Sequence, residues 1–330
     1  MNKHTLNTLK NFFNLSSLRM FLLGFSSGLP ILLVFSTLSV WLVKAGVNRS
    51  MVTMFSWAGL AYSFKFIWTP LVDNLKLPFG NFGHRKSWLI VSQIMIILSL
   101  VFLSFTDPSK ALFMTALGAV LIAFSSATQD IIIDAYRIES APQKFQGALS
   151  SMYIAGYRIA MLVAGAGSLL IASYLGTEFY DPTVWQIVYI IMAGLMLIGV
   201  ITTFFSPEPN IRRRNNFVKL RDQLKFLLSF TFAIAIFVLC YSILENPFSN
   251  KEPFEKFLFA FLRIILCFIS SSAVIYVLIK VKLIPKKSAT NAYAKPISEF
   301  IDRYGKTAIF ILLLIGFYRI ADIVMGVVAN

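Results

Sequence analysis

The 330-residue chain is 57% hydrophobic and 15% aromatic, while only 14% of its residues carry charge, against roughly 25% in soluble domains. That composition excludes an ordinary soluble enzyme or binding domain. The net charge of +15 does not point to nucleic acid, because the lysines and arginines gather between apolar blocks and no base-reading motif accompanies them.

Residues 1–17 form a polar N-terminal tail without the cleavage pattern of a secretory signal. It is either a short surface helix with Leu6, Leu9, Phe12 and Phe13 toward lipid or an untethered tail. Apolar blocks near the length of a membrane-crossing helix, about 20 residues, follow. They fall at 18–43, 51–72, 87–106, 111–137, 147–174 and 185–205. A basic connection at 207–225 leads to two further blocks near 226–245 and 256–280. A second basic stretch, 280–296, precedes a last block at 306–328. The expected fold class is an all-α polytopic membrane protein of about nine spans.

Charge sets the orientation. Lys3, Lys10 and Arg19, then His84, Arg85 and Lys86, then Arg212, Arg213, Arg214, Lys219, Arg221 and Lys225, then Lys280, Lys282, Lys286, Lys287 and Lys295 all fall on one side if each block crosses once. The positive-inside rule makes that side, with the N-terminus, cytoplasmic; Lys44 and Arg49 run mildly against it. Cys240 and Cys267 lie inside spans and read as inert thiols. The two histidines, His4 and His84, offer no metal spacing, and no phosphate-binding glycine loop or nucleophile elbow occurs. No metal, no cofactor and no catalytic residue are expected.

Ionisable groups inside spans are costly and face a cavity or a partner. Lys65, inside the second block, either meets an anionic substrate group or Asp130, or snorkels to the surface. In "SSATQDIIIDAYRIES" (125–140), Asp130, Asp134 and Arg137 share one helix face at i, i+4 and i+7. Asp130 and Asp134 both offer the carboxylate of a proton carrier, Asp130 with a structural ion pair as the equal alternative, and Gln129 either bonds a sugar or peptide amide or ties two helices. Asp134 and Arg137, nearer the cytoplasmic end, read as a structural pair. In the fifth block Tyr157 and Arg158 are candidates for the substrate path, Arg158 for a peptide carboxylate. Gly156, Gly165 and Gly167 there, and Gly24 and Gly28 in the first block, read as sites of close helix packing. Arg263 is expected to snorkel or pair, and Arg319 and Asp322 repeat a basic–acidic spacing in the last block. Paired aspartates can also serve a membrane enzyme, but no accompanying motif supports that reading.

The stretch "WTPLVDNLKLPFGNFGHRKSW" (68–88) is similar to the loop between helices 2 and 3 of the major facilitator superfamily. There a glycine, an aspartate and a basic cluster form an ion-paired cytoplasmic latch. Asp73, Arg85 and Lys86 are the matching residues, although Pro70 or a neighbour replaces the opening glycine and the loop is longer; the alternative is that Arg85 and Lys86 are only topology anchors. "GFSSGLPILLVFSTLSVWLVKAGV" (24–47), "YSFKFIWTPLVD" (62–73), "SSATQDIIIDAYRIE" (125–139), "QGALSSMYIAGYRIAMLVAGAG" (146–167) and "FSPEP" (205–209) together resemble the AmpG muropeptide permeases. These are facilitators related to the acetyl-CoA transporters. "FYRIADIVMGVVAN" (317–330) is similar to the start of that family's seventh core helix.

The resemblance implies a cytoplasmic tail at 1–17, a six-helix bundle at 18–206, a basic connecting region with two extra hydrophobic helices at 207–304, and the first helix of a second bundle at 305–330. It implies proton-coupled import of anhydromuropeptides across the bacterial inner membrane, with substrate, proton and lipid as partners. The other readings are a carrier of acetyl-CoA or another anionic metabolite, and a non-transporting half-permease. Because a complete relative continues past the seventh helix, a separately encoded C-terminal half is an expected partner.

Overall fold

The computed structural model describes residues 14–77, 82–176, 179–209, 220–244, 253–281, 295–305, 307–311 and 313–314. Arg212 to Arg214, Arg319, Asp322 and the tail through residue 13 lie outside the described residues. Among the described residues all regular structure is helical. The chain divides into two compact units, residues 1–72 with 76–214 and residues 73–75 with 215–330.

In the first unit, five helices are long and apolar enough to cross a membrane: Leu15–Lys44 (α1), His84–Ser104 (α3), Leu112–Ser140 (α4), Gln143–Leu175 (α5) and Pro182–Phe205 (α6). Their termini follow local chemistry. Asn14 caps α1 by accepting from the Ser17 amide at 2.7 Å, and Asp181 caps α6 by accepting from the Thr183 amide at 2.8 Å with Pro182 in the first turn. The Gln146 side chain closes α4 by donating to the carbonyls of Arg137, Ile138 and Ala141.

Helix α1 packs most extensively on α5, and α3 pairs with α4 and α6. A methyl group at Gly24 would overlap the Tyr153 backbone, one at Gly28 the Tyr157 backbone, and one at Gly156 the Phe21 backbone. These are the close approaches expected of these glycines, and they bring the polar atoms of α1 and α5 within bonding reach. Each helix also widens into a π turn, Leu33–Thr37 in α1 and Val163–Gly167 in α5. The Thr37 hydroxyl donates to the Ala164 carbonyl at 2.8 Å and lies 2.9 Å from Ser168 Oγ, joining the two irregular turns.

The expected single span at 51–72 is broken. Short helical pieces replace it, Arg49–Phe55, Ser56–Gly59, Leu60–Phe64, Lys65–Ile67 and Thr69–Asn74, together termed α2. Pro70 cannot donate a backbone bond, and just before it Trp68 adopts φ −102° and ψ 0°. The freed geometry is used: the Trp68 indole donates to Thr128 Oγ1 at 3.1 Å and its ring packs at a tilt against Phe124, with ring centroids 4.8 Å apart.

The second unit holds an antiparallel pair, Leu220–Ile243 (α7) and Pro253–Lys280 (α8). Phe237 meets Phe268 at 5.0 Å, and the Ser271 hydroxyl donates to the Ala233 carbonyl at 3.2 Å. Arg263 lies 3.8 Å over the Tyr241 ring and donates to the Tyr241 carbonyl, so this cation is engaged within the helix pair. A further helix, Lys295–Tyr304 (α9), occupies the end of a stretch expected to be a connection.

Candidate functional site: an intramembrane polar cluster

Three spans, α1, α4 and α5, and the broken α2 bring the site together. Asp130 lies ten residues before the end of α4, about 15 Å along the helix, and it is 8% exposed. The Ser27 hydroxyl of α1 donates to Asp130 Oδ1, and the Tyr153 hydroxyl of α5 lies 2.8 Å from Ser27 Oγ. An ionised carboxylate only accepts, so Tyr153 donates to Ser27 and Ser27 to Asp130. A protonated Asp130 reverses that chain, because its hydroxyl can donate to Ser27.

On its other oxygen Asp130 faces Lys65, which sits where α2 tightens into a 3₁₀ turn. The ammonium is 3.8 Å from Asp130 Oδ2 and 3.9 Å from Asp134 Oδ2. One cation therefore serves two acids a helical turn apart. Asp134 also meets Arg137 at 3.5 Å, and Arg137 donates to Ser150 Oγ of α5 at 2.5 Å. Tyr62 is buried nearby on α2, close to Ser126 and Asp130.

The remaining path candidates are placed differently. Gln129 is fully buried, and its amide donates to Ser26 Oγ of α1 at 3.2 Å, an inter-helix bond. Tyr157 is half-buried with its ring 6.0 Å from that of Tyr153. Arg158 is exposed on α5 and touches Met161 Sδ at 3.8 Å.

A second cluster ties the start of α3 to the ends of α4 and α6. Arg85 is 5% exposed and grips Glu139 with two parallel bonds, Nε to Oε2 at 2.9 Å and a terminal nitrogen to Oε1 at 2.6 Å. Glu208 accepts from the backbone amides of Arg85 at 2.9 Å and Lys86 at 3.1 Å, placing a carboxylate on the positive end of α3. Gly83, with φ +84°, makes the turn before α3, and a side chain there would collide with Glu208. Lys86 Nζ donates to the Phe204 carbonyl at 2.9 Å, and the Tyr136 hydroxyl donates to the Pro207 carbonyl at 2.9 Å. Asp73 lies exposed in the last piece of α2.

At the opposite end the Trp41 indole donates to the Tyr180 hydroxyl at 3.1 Å, which donates to Asp107 Oδ1 at 2.9 Å. Partial burial pushes the Asp107 carboxyl up, but bonds from Ser109 and Tyr180 and the Lys110 ammonium outweigh it and hold it below its ordinary value. Burial pushes the Tyr180 phenol up to about 12, Trp41 opposing and Asp107 adding to the rise. Among the described residues no group of three or more His, Cys, Asp or Glu side chains is arranged to hold a metal ion.

Residues 20–329 match the sequence profile of the Major Facilitator Superfamily. The chain belongs to the major facilitator superfamily. With its five long apolar helices, this facilitator is a multi-pass membrane protein. Its sequence is of AmpG type: it is 39% identical over 194 residues to a transporter named AmpG 4 of Rickettsia felis, covering 58% of this chain and 45% of the relative. It is 39% identical over 189 residues to the anhydromuropeptide permease of Escherichia coli K12, covering 57% of this chain and 36% of that protein. A transporter named AmpG 1 of Rickettsia bellii is 31% identical over 254 residues, covering 71% of this chain and 62% of the relative. The facilitator thus spans about half the length of the curated relatives it matches.

Ser27, Tyr153, Glu139 and Glu208 were not singled out by sequence. A serine or tyrosine in an apolar helix costs too little to draw notice, and Glu208 in "SPEP" reads as loop. The signal that was available is the pairing rule: a basic residue opening α3 needs acids, and Glu139 and Glu208 are the acids that end the neighbouring spans.

Proposed function

We propose that the chain is a secondary active transporter that carries anhydromuropeptides inward across the bacterial inner membrane, driven by the proton gradient, its N-terminus in the cytoplasm. The observation that carries this reading is Asp130, buried between the Ser27–Tyr153 hydroxyl chain and a lysine shared with Asp134. Protonation of Asp130 releases Lys65 to Asp134 alone and turns the hydroxyl chain around. That exchange alters how α1, α2, α4 and α5 are tied, which is what coupling between proton and conformation requires. The AmpG-type sequence supports the muropeptide as cargo, with Tyr157 and Arg158 offering a ring and a guanidinium to a sugar and a peptide carboxylate. Gln129 acts behind them by fixing α4 on α1. Asp73, Arg85, Lys86, Asp134 and Arg137 serve as the cytoplasmic gate, with Glu139 and Glu208 as added members.

The test is uptake by the full chain in liposomes, offered labelled anhydromuropeptide and acetyl-CoA under an inward proton gradient. Accumulation of the muropeptide is expected. Preference for acetyl-CoA overturns the cargo, and failure to accumulate either overturns transport by this chain.

A further inference from the structure

Helix α9 has the pattern of a surface helix rather than a span. In "KPISEFIDRY" (295–304), Ile297, Phe300, Ile301 and Tyr304 recur at i, i+3, i+4 and i+7, while Ser298, Glu299, Asp302 and Arg303 take the other side. At ten residues it is about 15 Å long, half the thickness of a hydrocarbon core. The Phe300 and Tyr304 rings lie 4.9 Å apart, and Ile301 and Tyr304 remain 49% and 43% exposed.

Its neighbours in sequence supply the rest of the argument. Gly305, with φ +53°, ends the helix, its amide donating to the Ile301 carbonyl at 2.7 Å. Helical residues 307–311 and 313–314 lie next in sequence, and their Ile309, Phe310, Leu313 and Leu314 are exposed apolar side chains. On the other flank, residues 280–294 carry four lysines and no acid, Lys280, Lys282, Lys286 and Lys287. The helix itself is balanced, with Glu299 and Asp302 against Lys295 and Arg303. Attraction to an anionic surface therefore comes from the lysines before it, and burial of apolar side chains from α9.

We propose that α9 is a membrane-surface helix, seated by Phe300, Ile301 and Tyr304 in the headgroup layer of an anionic bilayer and drawn there by the lysines that precede it. Gly305 is the elbow at which the chain leaves that layer for the hydrocarbon. The occupant of the apolar face is lipid, because the same polypeptide is a multi-pass membrane protein and the lysines before α9 complement an anionic bilayer surface.

Full-length protein in nanodiscs, spin-labelled singly at Ser298, Ile301, Asp302 or Tyr304, tests this through collisions with oxygen and with a water-soluble nickel chelate. A Cys240→Ala, Cys267→Ala background removes other labelling sites; if it does not fold, native-cysteine protein with its own signal subtracted replaces it. In discs containing phosphatidylglycerol, labels at 301 and 304 are expected to favour oxygen and to lie about 5–10 Å below the phosphates, whereas labels at 298 and 302 favour nickel. Lys286→Gln with Lys287→Gln, or neutral lipid alone, should lower the oxygen preference at 301 several-fold. Equal nickel access at all four positions overturns the proposal, as does shielding of 301 and 304 from both reagents, which would mean burial against protein. A preference unchanged in neutral lipid overturns the electrostatic part.

Discussion

Arg85 and Lys65 are both cations buried wholly or partly in the first unit, yet Arg85 holds Glu139 in bonds of 2.6 and 2.9 Å, whereas Lys65 stands 3.8 Å from Asp130 and 3.9 Å from Asp134. The Arg85 side chain is 6% exposed and the Lys65 side chain 30%. A guanidinium matches a carboxylate with a planar fork and stays charged, so the first contact has one geometry. An ammonium on a flexible stem has no such preference and can favour either acid with a small displacement. The difference separates a clamp that ends three helices from a contact that can change hands.

The comparison breaks most readily at the clamp. Arg85→Ala removes the guanidinium fork from part-buried Glu139 and should cost up to about 3 kcal/mol, read as a large fall in unfolding temperature in detergent; Arg85→Lys keeps the charge, loses the fork and should fall between. A loss under about 1 kcal/mol for Arg85→Ala would reduce the clamp to an ordinary surface pair. Glu208→Gln retains an acceptor for the α3 amides but removes its charge, and should cost about 1 kcal/mol by the same assay. At the other cluster Asp130→Asn keeps the Ser27 bond and should change stability by less than about 1 kcal/mol, with its effect seen instead in proton-driven uptake. A fall as large as that of Arg85→Ala would show Asp130 to be structural.

The smallest effect is at the opposite end, where Asp107 is held below its ordinary value. A depressed carboxyl contributes stability that is present above its unfolded value, near about 3.9, and lost as pH falls through its folded value. Asp107→Asn should therefore lower the unfolding temperature slightly at neutral pH, by less than about 1 kcal/mol, and match the wild type in strong acid. Tyr180, pushed up to about 12, works in the other sense: its contribution is present below about 10 and is lost as pH rises through the folded value.

Much of this was legible in the residues. Helices α1 and α3 to α6 follow from apolar length, since a span must satisfy its backbone internally. The break in α2 was hidden because Gly59 and Pro70 sit in a continuous apolar run, and hydropathy is blind to whether Trp68 will find Thr128. Helix α9 was missed because ten residues with four charges lack the apolar length that marks a span. At the site, Lys65 and Asp130 stood out through the cost of charge in a membrane. Ser27 and Tyr153 emerge only once Gly24, Gly28 and Gly156 bring α1 against α5, a contact between residues more than a hundred positions apart.

The central claim, that Asp130 couples proton to transport, is tested most directly by comparing wild type and Asp130→Asn in liposomes with and without an inward proton gradient. The wild type should accumulate labelled anhydromuropeptide only with the gradient. Asp130→Asn should lose that accumulation while still exchanging internal for external substrate and unfolding near the wild-type temperature. Gradient-driven accumulation by Asp130→Asn at the wild-type level would contradict the account.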